Sequence, residues 1–131
     1  MIIVPAAAHA GWRGLLHGVL ESTVGAMRSS GNELSAWLGP AIGPQSFEVG
    51  AEVREAFVQR HTQTEACFSV TRPGHYLADL YQIARVRLEL LGIIDISGGH
   101  YCTYQDQRRF YSYRRDQQTG RQASLIYIRP E

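Results

Sequence analysis

Three groups of residues carry side chains suited to chemistry. The first is the run "AAAHAGWRGLLHG", with His9 at its centre. Here an apolar segment turns into a helical pattern. A histidine nitrogen can ligate a metal, and Arg13 supplies a fixed cation. Gly11 and Gly14 let a ligand approach the backbone. The start of a helix presents unpaired N–H groups that attract anions. The competing reading is a histidine satisfied at a tight corner, with Trp12 in the core. His17, eight residues on and past a turn, is expected to face solvent.

The second group is His100 and Cys102, two residues apart and expected on one face of a strand. Together they could supply two metal ligands. Without a second clear pair, an incidental edge-strand pairing explains them as well. The third group is "RRFYSYRRDQQTGR", five arginines among three aromatics. Read as a strand, Phe110, Ser112 and Arg114 share one face, and Tyr111, Tyr113 and Arg115 the other. Arg114 is the candidate for a bidentate contact to phosphate or carboxylate. A solvated hairpin paired with Asp106 and Asp116 is the alternative. Asp79 suits the start of a helix, where it stabilises as a cap rather than as a catalyst.

These groups need elements to position them. Residues 2–8 are apolar and read as a buried strand ending at the His9 corner. Leu15, Leu16, Val19, Leu20, Val24 and Met27 have helical spacing over 15–27. "LSAWLG" reads as a strand, and "GPAIGPQS" as a loop between two Gly-Pro steps. Ser46 is placed to cap a helix burying Val49, Val53, Ala56 and Phe57. "ACFSV" reads as a strand and "TRPGHY" as a turn. A further helix puts Leu77, Leu80, Ala84, Leu88 and Leu91 on one face and ends at Gly92. "IIDIS", "HYCTYQ", "FYSYRR" and "ASLIYI" read as strands. The sum is one α+β domain, with mixed sheets flanked by helices.

Composition narrows the function classes. The 131 residues are 44% hydrophobic and 19% charged, a globular balance. The net charge of +1 gives no footprint for nucleic acid or a membrane surface. No apolar run has the length of a spanning helix. All thirteen basic residues are arginine, which excludes a Schiff-base or P-loop lysine within this chain. Cys67 and Cys102 form no disulfide framework, so a reducing cytoplasm is the expected compartment. An uncovered sheet edge would allow a homodimer.

"HAGWRG", "WLGPAIGPQSFEVG", "YLADLYQIAR", "CTY" and "FYSYRRDQQTGRQAS" occur in this order across almost the whole chain. Together they resemble the YfiH/laccase-domain family. That resemblance implies an α+β, CNF/YfiH-like fold. It implies purine nucleoside phosphorylase activity on inosine, adenosine or methylthioadenosine, with accompanying adenosine deamination. The family was first named for polyphenol oxidase activity, and some bacterial members are linked to peptidoglycan-precursor editing. Its site holds zinc, and copper has also been reported, on two histidines and a cysteine.

His9 matches one of those ligands. The other two belong to segments similar to "QVHG" and "ADC", upstream of "HAGWRG" and without a counterpart in these 131 residues. Cys67 and Cys102 do not match the family cysteine, so no catalytic residue is assigned. The expectation is therefore a single laccase domain over 1–131 that lacks the family's N-terminal part. It carries His9 as a metal ligand, with Arg13 and Arg114 as contacts for phosphate or nucleoside. Its metal site is incomplete, and the chain alone is expected to be inactive. An inactive fragment or assembly module, or a peptidoglycan-precursor editing hydrolase, is the alternative.

Overall fold

A computed structural model describes residues 3–130 of the chain. Two small sheets and five helices make an α+β arrangement. The helices are α1 (Trp12–His17), α2 (Val19–Met27), α3 (Ala51–Arg60), α4 (Leu80–Leu90) and α5 (Tyr113–Asp116). The strands are β1 (Ser35–Leu38), β2 (Glu48–Gly50), β3 (Phe68–Arg72), β4 (His75–Ala78) and β5 (Asp95–Gly98).

The central sheet is antiparallel, in the order β2-β4-β3. Pro73 and Gly74 turn β3 into β4, with a register shift between Val70 and Arg72. Val49 pairs with Tyr76 across β2 and β4. That pairing corrects the expected helix from Ser46. Backbone groups of residues 48–50 are used by the sheet, so α3 begins only after Gly50. Val53 and Phe57 still face inward, and Phe57 lies 6.0 Å from the Phe68 ring. Leu15, Leu16, Phe47, Val49, Leu80 and Ile83 complete one core.

The expected helix over 15–27 is two helices. Gly18 adopts φ 97°, ψ 29°, a left-handed geometry that glycine tolerates without a Cβ penalty. It caps α1 and restarts the chain as α2. Asp79 caps α4, as its position in the sequence suggests: its carboxylate accepts the Gln82 N–H at 3.0 Å. Leu77, expected on that helix, belongs instead to β4. The helix runs back to β5, which pairs in parallel with β1 from Ser35↔Asp95 to Leu38↔Gly98.

Four expected strands are absent. Residues 3–8 are exposed and irregular, and Ile2 lies outside the described residues. "HYCTYQ" makes only an isolated bridge, Cys102 to Ala41. "FYSYRR" ends in the short helix α5, and "ASLIYI" is exposed and irregular. A strand is stabilised by a ladder partner, and among the described residues none pairs with these segments beyond that single bridge. Apolar or alternating residues alone do not make a ladder.

Candidate functional site

The His9 corner is built by Gly11, which is extended at φ −73°, ψ 177° and leads into α1. No side chain caps α1. A Cβ on Gly11 would meet nothing within 4 Å, so packing within the described residues does not demand glycine there. The backbone at Gly11 is open, whereas a Cβ on Gly14 would touch the Val19 side chain at 3.6 Å. The anion-binding helix start is weaker than expected, because α1 has only six residues and few aligned peptide dipoles.

His9 is exposed and lines an open groove of about 690 Å³. Across the groove lie Tyr111, Tyr113 and the segment from Gln117 to Gln122. Two tyrosines, several amide residues and Arg121 thus line one groove with His9. His17 is exposed, as its spacing suggests.

The two arginines singled out from sequence do not line this groove. Arg13 stacks on its neighbour, with Cζ 4.5 Å from the Trp12 ring centroid. Arg114 stacks on the core residue Phe47 at 4.9 Å. Both remain exposed cations. The strand alternation expected for residues 110–115 does not apply, since Ser112 accepts the Arg115 N–H and opens a helical turn.

Arg115 is the residue that sequence reasoning undervalued. Its guanidinium donates to the carbonyls of Thr103, Tyr104 and Phe110, each at 3.0 Å. It also pairs with Asp116 at 2.8 Å. The side-chain bond to Asp116 raises the Arg115 pKa further and holds the Asp116 carboxyl below its usual range. One side chain thereby fastens α5, and with it the tyrosine wall of the groove, to the loop over 103–110. Gln122 adds a second clamp, accepting the Tyr111 N–H at 2.9 Å and donating to its carbonyl. The signal in the sequence was Ser112 three residues before Arg115, a helix-cap spacing.

His100 and Cys102 do not form a pair of ligands. His100 is exposed, while the Cys102 thiol turns toward the Gly-Pro loop. Its Sγ accepts the N–H of Gly43 at 3.2 Å and of Gln105 at 3.5 Å, with the Ser46 hydroxyl at 3.5 Å. Burial pushes the thiol up, but these hydrogen bonds outweigh it and leave it below the ordinary value. Cys67 is the opposite case. Burial, with a smaller contribution from Asp79, pushes it up to about 11. Both cysteines are free.

Among the described residues, no three of His, Cys, Asp and Glu converge on a point where a metal could sit. His9 is a single exposed donor, and zinc needs at least three protein ligands. The residues present do not fit a closed metal centre. No helix among them is long and apolar enough to cross a membrane.

Comparison with known proteins bears on this site. A family model described as multi-copper polyphenol oxidoreductase laccase matches residues 3–129. A purine nucleoside phosphorylase of Pseudomonas aeruginosa is 54% identical over 124 residues, 94% of this chain and 51% of that protein. The purine nucleoside phosphorylase YfiH of Escherichia coli is 54% identical over 123 residues, 94% of this chain and 50% of that protein. A Neisseria meningitidis protein of known structure superposes with TM-score 0.80 at 43% identity, over 82% of this chain and 45% of that one. The chain spans about half the length of the curated relatives it matches. It belongs to the laccase-domain family that includes YfiH.

Proposed function

We propose that this chain contributes the His9 groove to a purine nucleoside phosphorylase, and that it is inactive by itself. The observation that carries this reading is the groove: the exposed His9 lines it together with two tyrosines, amide residues and Arg121. Relatives named purine nucleoside phosphorylase supply the reaction class. In phosphorolysis, phosphate attacks the ribose C1′ while the purine leaves with the bond electrons. Tyr111 and Tyr113 offer faces on which a purine stacks. Arg13 and Arg114, which stack on Trp12 and Phe47 outside the groove lining, are the cations this reading assigns to phosphate. Substrates are inosine, adenosine or methylthioadenosine, with adenosine deamination as a second activity in the cytoplasm.

His9 is the one ligand that this chain brings to a metal, zinc or copper, whose remaining ligands lie outside these residues. No catalytic step is assigned through that metal. A second reading, an assembly module without activity, is favoured by the exposed apolar surface. Trp37 on β1 is 60% exposed and Ile94 beside β5 is 84% exposed. Parallel strands are ordinarily covered on both faces.

Three proteins decide between these readings. They are the 131-residue chain, a hybrid in which it replaces the matching half of the Pseudomonas aeruginosa relative, and that hybrid with His9→Ala. Metal content, phosphate-dependent base release and ammonia release are measured on each. The hybrid is expected to hold metal and turn over, while the other two do neither. Tight metal and turnover in the short chain would overturn the incomplete-site reading. A hybrid as inert as the chain would favour the assembly module. In an active hybrid, Arg114→Ala should weaken phosphate binding about tenfold or more, as expected for a lost charged hydrogen bond.

A further inference from the structure

Beside the groove lies a second cavity of about 480 Å³, lined only by residues between 107 and 120. It shares Tyr111 and residues 118–120 with the His9 groove, so one ridge walls both. That ridge is closely packed. A Cβ on Gly120 would come within 2.8 Å of Tyr111 Cζ, so only glycine lets the ring approach there. Arg13 and Arg114 line neither cavity.

The charged residues lining the second cavity are Arg108, Arg109, Arg115 and Asp116. Arg115 has no donor left for a ligand. Its Nε and Nη2 donate to Asp116, Nη2 also donates to Phe110, and Nη1 donates to the carbonyls of Thr103 and Tyr104. Every N–H of that guanidinium is engaged, and the Asp116 charge is neutralised. Arg109 is fixed but only partly engaged. Asp106 accepts its backbone N–H at 3.2 Å and its Nε–H. Its Cζ lies 4.7 Å from the Tyr101 ring centroid and 5.8 Å from that of Phe110. Nη1 and Nη2 make no hydrogen bond among the described residues. Arg108 is exposed and enters none of the ion pairs among them.

We propose that this cavity binds a phosphate group, as inorganic phosphate or as a sugar phosphate monoester, on the guanidinium forks of Arg108 and Arg109. A guanidinium pairs with two oxygens of one phosphate, and a tetrahedral dianion has oxygens for two such forks. A planar carboxylate has only two oxygens to share between them. The one carboxylate in the lining is already paired with Arg115, so it opposes an anion weakly. Asp106 and the two rings hold Arg109 in place, which lowers the cost of ordering it on binding. Thr119 and Gln118 add neutral donors on the shared ridge. Unlike the metal site at His9, this site draws on residues of one short segment. It concerns a separate cavity and stands independently of the purine reading.

Nitrogen-15 spectra of the 131-residue chain, titrated separately with inorganic phosphate and with ribose 5-phosphate, test the proposal. Ionic strength is held constant with sodium chloride, because screening alters any exposed charge. The expected result is a saturable shift at residues 107–120, including the Arg109 Nε–H, with at least one of the two ligands. The tighter ligand identifies the source of the phosphate group. Arg108→Gln should weaken binding about tenfold or more, as expected for lost charged hydrogen bonds. Arg109→Gln should weaken it further, since that change also frees the Asp106 carboxylate. Arg60→Gln, at the exposed end of α3, should leave binding unchanged. Shifts that do not saturate with either ligand, shifts centred on Arg13 and Arg114, or equal weakening in Arg60→Gln and Arg108→Gln would overturn the proposal. Should Arg109→Gln disturb its loop, the exposed Arg108 and the wild-type shift map still decide.

Discussion

Replacing Glu21 by leucine leaves the Arg87 guanidinium in the interior without its counter-charge. Arg87 is 3% exposed and Glu21 is 30% exposed, so the cation is the deeper member of the pair. Removing one partner of a fully buried pair costs about 3–5 kcal/mol. Solvent reaches the Glu21 end, which lowers the expected loss for Glu21→Leu to about 2–4 kcal/mol. A domain of this size has only about 5–15 kcal/mol of stability to lose. At about 3–5 °C per kcal/mol, the midpoint should fall by roughly 6–20 °C. The double variant Glu21→Leu/Arg87→Met removes both charges, and a well-packed apolar pair should cost less than the single change. Urea denaturation of wild type, both single variants and the double variant gives the four corners of a cycle. A Glu21→Leu variant no less stable than the double variant would refute the claim that Arg87 depends on Glu21.

Other outcomes follow from individual groups. The His61 pKa is lowered in the folded state, chiefly by burial and then by Arg87. The unfolded chain therefore binds protons more readily, and stability should be fully present above about pH 6.5 and decline as pH falls toward the folded value. A urea midpoint that falls equally with pH in His61→Gln would remove His61 as the cause. Gly18→Ala should cost about 1–2 kcal/mol, since alanine at φ 97° is strained; a neutral thermal shift would contradict the left-handed joint. A thiol alkylating reagent at neutral pH should label Cys102 and spare Cys67, whose thiol is buried and pushed up to about 11. Equal labelling rates by mass spectrometry would contradict both environments.

The motif order was sufficient to recognise the family, whose model matches residues 3–129. Features set by near neighbours were also legible. Asp79 three residues before Gln82 reads as a cap and is one. The α4 face with Leu80, Ala84 and Leu88 follows helical spacing and packs inward. Spacing was a poor guide wherever the decision depended on a distant partner. Val49 has the right position for a helix face, yet Tyr76 in β4 takes it into a sheet. The alternation around Phe110 and Tyr113 suggests a strand, but a local cap at Ser112 prevails where no ladder is available.

The candidate site divides in the same way. His9, Arg13 and Arg114 could be named from their motifs. That Tyr111 and Tyr113 line one groove with His9, while the two arginines lie on Trp12 and Phe47, could not. Sequence by itself determined the local chemistry: which groups are present, the Asp79 cap of α4, and which family pattern they follow. Tertiary structure alone decided the partners, because strand pairing, burial and charge neutralisation are properties of two surfaces brought together from far apart in the chain.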